Sequence, residues 1–216
     1  MAGDGSHGMP FFLSYARTPT ITPDFGAALA PDQRVQQFFA ELYVNVSQLI
    51  SLPVGVEPGF MDRTMRGGVR WTQELLQTLG TCQIIIPLLS PRYLTSEWCG
   101  MECHAFMQRT LQREGQSGSQ NQECIIPLIW VPLQGGEPPE PLDAGIVFSP
   151  GSPDVERNYH ADGVFGMLQQ NQETEWKVVA WQLAKHIAHV YSNQYLEHKE
   201  FKLEDLRTIF GGGTHD

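Results

Sequence analysis

Residues 84–102, IIIPLLSPRYLTSEWCGME, join an apolar run to a polar loop and then to a pattern typical of a helix start. The run 84–89 is too short for a typical helix and begins with three β-branched isoleucines, which predicts a buried strand. Pro91 restricts the residue before it to extended conformations and so ends the strand. Ser96 suits a helix N-cap, and Glu97 places negative charge in the first turn, where the helix dipole favours it.

Two side chains near the start of this predicted helix are candidates for a site. Trp98 and Glu102 are four residues apart, so they lie on one helix face beside the carboxyl end of the strand. Open α/β sheets bind their ligands beyond the carboxyl ends of their strands. The alternative is ordinary: most glutamates are solvated helix residues, and a tryptophan at this position can anchor its helix in the core.

The composition is that of a globular protein. The 216 residues suffice for one domain with a full core. The hydrophobic fraction is 41%, and the formal net charge of -10 argues against a nucleic-acid-binding surface. No apolar run approaches the ~20 residues of a membrane span, and the start, MAGDGSHGMP, lacks the basic and apolar regions of a signal peptide. We therefore expect a cytoplasmic protein that binds neither nucleic acid nor membranes.

The cysteines predict no metal centre. All four lie in or beside predicted core elements, where reduced buried thiols are expected: Cys82, Cys99, Cys103 and Cys124. Cys99, Cys103 and His104 are close in sequence, but no second pair of ligands follows at a spacing typical of zinc sites.

The order of apolar segments predicts a parallel sheet with helices on both faces. The predicted strands are 11–15, 59–62, 84–89, 124–131 and a short fifth strand at 146–148, and the predicted helices are 31–49, 71–79, 97–113 and 173–191. Five strands with this rhythm fit a flavodoxin-like three-layer sandwich of strand order 2-1-3-4-5. In that order the loops after the first and third strands border one crevice.

The remaining segments give weaker signals. Pro87 and Pro127 interrupt apolar runs and are expected near strand ends or at a bulge, since proline cannot donate to a sheet ladder. The segments 114–122 and 149–172 are expected to be an exposed loop and an irregular stretch, the latter with at most a short helix. We divide the chain into a flexible leader at 1–9, a single domain at 10–191 and a weakly packed tail at 192–216, with at most a short docked helix around 203–210.

The loop 63–70, RTMRGGVR, follows the second strand and combines three arginines with a glycine pair. Gly67 and Gly68 allow a sharp turn or a close approach to a partner. The loop lacks the Gly-Lys-Ser/Thr of a phosphate-binding P-loop. Asp62, just before it, is placed like a receiver-domain phosphoacceptor, but the segment 14–17 supplies none of the acids that a receiver needs.

Four blocks of the chain resemble signature segments of Toll/interleukin-1 receptor (TIR) domains, in the family's order. FFLSYA at 11–16 resembles the first strand, and FMDR at 60–63, followed by a glycine-bearing loop and Trp71, resembles the second strand and the BB loop. CQIIIPLLSPRYLTSEWCGME at 82–102 resembles the third strand and the Ser-x-Trp-Cys-x-x-Glu helix start, and CIIPLIWVP at 124–132 resembles the fourth strand.

The resemblance implies one of two functions. Many bacterial and plant TIR domains cleave NAD at the nicotinamide–ribose bond, giving nicotinamide and ADP-ribose or a cyclic variant, whereas others are adaptors that act only through protein–protein contacts. Glu102 occupies the position of the family's catalytic glutamate, and Trp98 completes the Trp-x-x-x-Glu pattern of active bacterial members. This favours catalysis in bacterial signalling or defence, with a non-catalytic scaffold as the alternative. The segment 133–190 matches loosely, and the whole is similar to TIR-like proteins of actinobacteria.

The implied chemistry suggests which residues bind the substrate. Loss of nicotinamide builds oxocarbenium character on the ribose, which one nearby carboxylate can stabilise because the leaving group is already cationic. The pyrophosphate of NAD needs donors, for which Arg17 is the best candidate. The substrate-binding candidates are Ser14, Tyr15, Arg17, Asp62, Trp71 and Trp98. NAD is thus a substrate, and no cofactor is expected.

The resemblance also implies self-association with other TIR domains. The candidates for this contact are in the loop after the second strand: Arg63, Arg66, Gly67 and Gly68. An ordinary solvated loop is the alternative for these arginines, and packing is the alternative for Trp71.

Overall fold

The computed structural model describes residues 8–18, 32–62, 73–113, 116–119, 121–135, 138, 140, 142–144 and 148–210. The helices in these ranges are α1 (Asp32–Leu49), α2 (Gln73–Thr81), α3 (Glu97–Met107), α4 (Pro153–Gln169) and α5 (Glu173–Asn193). The strands are β1 (Phe11–Ser14), β2 (Gly59–Met61), β3 (Ile84–Leu89), β4 (Leu111–Arg113), β5 (Gln116–Ser119), β6 (Leu128–Ile129) and β7 (Tyr195–Leu196).

A parallel sheet of order β2-β1-β3-β6 forms the centre of the fold. Every residue of β1 and β3 is buried, as expected for strands covered on both faces. Helices α3 and α5 contact β3, and α4 contacts β6, so helices flank the sheet. The flavodoxin-like α/β class is confirmed, with the predicted order of the first four strands. Of the predicted fifth strand, 146–148, only residue 148 is described, and it lies outside the strands.

Pro87 lies inside β3, two residues before the strand ends at Leu89. Residues Ile84 to Pro87 pair with β1, and the pairing with β6 begins at Leu88. On the side facing β6, an isolated bridge joins Ile85 to Ile125, so Pro87 lies between this bridge and the pairing with β6. Pro127 lies just before β6, as predicted.

The end of α3 differs from the prediction. The helix ends at Met107 instead of near 113, and residues of the predicted loop 114–122 form β5, which pairs antiparallel with β4. Strand β4 also pairs with β7, so a second sheet of order β5-β4-β7 is built from segments far apart in sequence. Local propensity cannot indicate this pairing, because the partner strand is more than 80 residues away.

Helix α4 occupies most of the stretch that was predicted to be irregular. It is two helical pieces joined at Gly163, whose φ of 63° and ψ of 173° break the helix. A Cβ at this glycine would lie 2.5 Å from the carbonyl oxygen of Trp130. The backbone N–H of Phe165 donates to that same oxygen at 3.0 Å, so the break docks the second piece against the end of β6.

The described residues at both ends of the chain pack against the domain. The carbonyl of Met9 accepts from the backbone N–H of Gln83 at 2.9 Å. Beyond β7, the predicted tail holds a 3-10 turn at Leu203–Asp205 and buries three further apolar side chains, Phe201, Leu206 and Phe210. Residues 194–210 are therefore not the weakly packed tail that their polar composition suggested. None of the helices in the described ranges has the length and hydropathy needed to cross a membrane.

Candidate functional site

Ser14 and Glu102 meet at the carboxyl end of β1. Ser14 is the last residue of β1, and Glu102 lies in the second turn of α3. The helix begins at the predicted N-cap, because the Ser96 side chain accepts from the backbone N–H of Cys99 at 3.3 Å. Glu102 is only 7% exposed, and the Ser14 hydroxyl donates to its Oε2 atom. The carboxyl group is thus turned into the fold and away from bulk solvent.

Burial raises the pKa of Glu102 to about 8. The hydrogen bond from Ser14 opposes this shift, the negative charge of Asp62 adds to it, and the positive charge of Arg17 lowers the pKa. At pH 7 most molecules therefore carry a protonated Glu102. A buried carboxyl beside a specific charged pair is a feature of functional sites, although structural networks also produce it.

The loop after β1 is tied to the end of β2 through Asp62. Arg17 Nη2 donates to the carbonyl oxygen of Asp62 at 2.9 Å and lies 3.6 Å from its carboxylate. The Tyr15 hydroxyl donates to the same carbonyl oxygen at 3.3 Å. Burial raises the pKa of Tyr15 to about 12, so this hydroxyl stays protonated at neutral pH. Four predicted substrate-binding residues, including Ser14, are therefore neighbours.

The candidate site also includes Arg92 and Tyr93, from the loop between β3 and α3, which the sequence analysis did not identify. Arg92 Nη1 donates to the carbonyl oxygen of Arg17 at 3.2 Å, so this loop also contacts the loop after β1. Tyr93 is fully buried, and its hydroxyl lies 2.8 Å from Ser14 Oγ and 3.2 Å from Cys103 Sγ. Their place after the third strand is the signal that could have indicated them.

The structure assigns no role to the remaining predicted site residues. Trp98 lies in the first turn of α3 and is 40% exposed, so it is not a core residue. The remaining candidates lie outside the described residues: Trp71, Arg63, Arg66, Gly67 and Gly68. The four cysteines are free and buried. Within the described ranges, no group of His, Cys, Asp and Glu is arranged to hold a metal ion.

Comparison with known proteins identifies the family. The model of the TIR domain family matches residues 48–152, a stretch that runs from the end of α1 through β2, β3 and α3 and includes Trp98 and Glu102. A search of curated proteins found no match to the chain. The matched stretch carries the sequence blocks at 60–63, 82–102 and 124–132, and the parallel sheet has the flavodoxin-like order. The chain therefore contains a domain of the TIR family.

Proposed function

We propose that this protein cleaves NAD at the nicotinamide–ribose bond, with Glu102 as the catalytic residue. The observation that supports this most is the buried Glu102 carboxyl, held by the Ser14 hydroxyl at the carboxyl end of β1. TIR domains include both NAD-cleaving enzymes and adaptors, so the family alone does not decide. In our proposal the reaction serves bacterial signalling or defence in the cytoplasm.

The site suits the charge that develops when nicotinamide leaves. The ribose gains oxocarbenium character, and an ionised Glu102 stabilises it more strongly in a buried setting than in water. Nicotinamide departs as a neutral molecule, so the leaving group needs no proton from an acid. The cationic ring of bound NAD also favours the ionised form of Glu102, because a nearby positive charge lowers a carboxyl pKa. Substrate binding thus helps to create the state that reacts.

The rate should depend on pH through Glu102. Because the pKa of this carboxyl is raised to about 8, the ionised fraction of the free enzyme rises roughly tenfold per pH unit below that value. We expect kcat/KM for NAD cleavage to rise from pH 6 and to level off above about pH 8. Initial rates between pH 6 and 9.5 measure this, and a flat profile would argue against an ionised Glu102 as the reacting group.

Arg17 is proposed to bind the pyrophosphate of NAD. Its guanidinium already contacts Asp62, so the phosphate oxygens replace or extend an existing contact. We expect Arg17→Ala to raise KM for NAD about tenfold, the loss of roughly one charge-assisted contact, with a smaller change in kcat. Arg157→Ala is the matched control, because Arg157 is exposed on α4 and pairs only with Asp154 in the described ranges. Equal KM values for the two variants would contradict this assignment.

The proposal is tested by incubating concentrated protein with NAD and measuring nicotinamide release with identification of the second product. High concentration favours TIR–TIR self-association, which is predicted to involve the loop 63–70. That loop lies outside the described residues, so its part in self-association stays a prediction. Thermal melting with and without NAD separates binding from turnover. A melting shift without nicotinamide release would indicate an NAD-binding scaffold. The absence of both the melting shift and nicotinamide release would overturn the proposal.

A further inference from the structure

A line of four polar side chains runs from the core to the candidate site. Cys103 Sγ lies 3.2 Å from the Tyr93 hydroxyl, which lies 2.8 Å from Ser14 Oγ, and Ser14 donates to Glu102. We propose that Tyr93 is a positioning residue for the Glu102 carboxylate, acting through Ser14. We also propose that Phe210 of the C-terminal segment, residues 194–210, holds Tyr93 in place. This inference rests on the proposed role of Glu102.

The hydrogen-bond direction in this line follows from chemistry. An ionised carboxylate only accepts, so the single hydroxyl proton of Ser14 must point at Glu102. Ser14 Oγ then accepts from the Tyr93 hydroxyl, whose oxygen is left to accept from the thiol of Cys103. When Glu102 is ionised, all three hydrogens therefore point towards its carboxylate. Without the Tyr93 hydroxyl, Ser14 loses the donor that fixes its proton on the carboxylate.

Tyr93 acts as a neutral dipole, because burial keeps its hydroxyl protonated. Burial raises its pKa well above the usual value, as it does for the thiols of Cys99 and Cys103. The titratable or charged groups that face Glu102 are Tyr15, Arg17, Asp62, Tyr93, Cys99 and Cys103. Of these, only Arg17 and Asp62 carry charge at neutral pH. A change at Tyr93 therefore alters hydrogen bonding to Glu102 without changing the charge around it.

The C-terminal segment reaches this line from the outside. The ring of Phe210 meets the ring of Tyr93 edge-on, with centroids 5.7 Å apart, and Phe210 is buried. The backbone N–H of Arg207 donates to His104 Nδ1 at 3.1 Å, which ties the segment to α3. A Cβ on Gly100 of α3 would lie 2.2 Å from Thr208 Oγ1, so the glycine admits the segment. Residues far beyond the matched stretch 48–152 thus support a side chain within it.

Tyr93→Phe tests the proposal, because it removes the hydroxyl and keeps the ring that contacts Phe210. The readout is the titration of the Glu102 carboxyl by NMR in protein labelled at glutamate, assigned by the signal missing from Glu102→Gln. We expect the midpoint to rise by about half to one pH unit, the effect of weakening one hydrogen bond to the ionised form. Ser14→Ala should give a shift at least as large, and it serves as the second variant if Tyr93→Phe folds poorly.

Tyr159→Phe is the matched control. Tyr159 is fully buried, and its hydroxyl accepts from the backbone N–H of Ile129 at 2.8 Å, a hydrogen bond that involves none of the four side chains in the line. The titration midpoint of Glu102 in Tyr159→Phe should match that of the parent protein. A Tyr93→Phe midpoint equal to the parent overturns the role of Tyr93, and an unchanged midpoint in Phe210→Leu overturns the role of Phe210. Neither result depends on NAD turnover, so failure here is distinct from failure to release nicotinamide.

Discussion

Replacing Glu102 with glutamine should lower the rate of nicotinamide release at least ~100-fold, the usual scale for removing one group that stabilises transition-state charge. Glutamine has the same shape and still accepts a hydrogen bond from Ser14 Oγ, so the surrounding contacts stay in place. The substitution removes the negative charge and replaces one carboxyl oxygen with an amide NH2 group of similar size. The measurement is initial-rate nicotinamide release near pH 8, where the charge of the parent protein is well developed.

The same substitution should make the fold more stable at alkaline pH. The pKa of Glu102 is about 8 in the folded protein against an ordinary 4.5, so the folded state holds a proton that the unfolded state has released between these values. Stability from this group is present below about pH 4.5 and is lost as the pH rises through 8. Each pKa unit corresponds to about 1.4 kcal/mol, so the difference by pH 9 is a few kcal/mol.

Urea unfolding of the parent and the variant at pH 5, 7 and 9 measures this effect. The gap in the free energy of unfolding should widen with pH in favour of Glu102→Gln. Glu97→Gln is the control, because Glu97 is exposed in the first turn of the same helix. It should leave both rate and pH dependence close to those of the parent. A fully active Glu102→Gln variant would remove the basis of the proposed mechanism.

Replacing Arg109 with methionine should destabilise the fold by about 3–5 kcal/mol, because several buried carbonyls lose their donor and each unsatisfied group costs about 1–3 kcal/mol. Arg109 is buried, and its guanidinium donates to four backbone carbonyls, those of Leu79, Cys82, Leu196 and Glu197. These carbonyls belong to α2, the turn before β3, and β7 with the residue after it. Methionine fills similar volume but leaves buried acceptors without donors. Chemical denaturation measures the loss.

Arg157→Met is the comparison for this experiment. Arg157 lies exposed on α4 and pairs with Asp154 at 3.2 Å, a contact of the kind that contributes less than about 1 kcal/mol. Its substitution should change stability within about 0.5 kcal/mol. Comparable losses in the two variants would show that the four carbonyls of the Arg109 cluster find other partners, and that the guanidinium does not join α2 to the C-terminal segment.

The sequence predicted those features that depend on local pattern. Short β-branched runs indicated β1 and β3, and the spacing from the N-cap Ser96 placed Glu102 beside the end of the sheet. Ser14 and Glu102 prove to be in contact, as the predicted strand order requires of neighbours at one sheet edge.

Features that depend on distant partners escaped prediction. Arg109 reads as an ordinary polar residue, because its four carbonyl partners come from segments that the sequence does not show to be adjacent. The local pattern predicts helix at 111–113, and the residues form β4 because they pair with β7, which belongs to a segment with few apolar residues. Tyr93 was overlooked because its role depends on contacts with Ser14 and Phe210, at opposite ends of the chain.

Two glycines on neighbouring helices lie where the C-terminal segment packs against them. Gly80 in α2 and Gly100 in α3 would each place a Cβ 2.2 Å from that segment, at Lys199 O and Thr208 Oγ1 respectively. A glycine inside a helix costs roughly 0.5–1 kcal/mol relative to alanine, so keeping two of them needs a reason. We therefore expect related sequences with glycine at both positions to have a C-terminal segment of similar length. Where either position holds a branched or aromatic residue, we expect the C-terminal segment to be missing or to pack elsewhere.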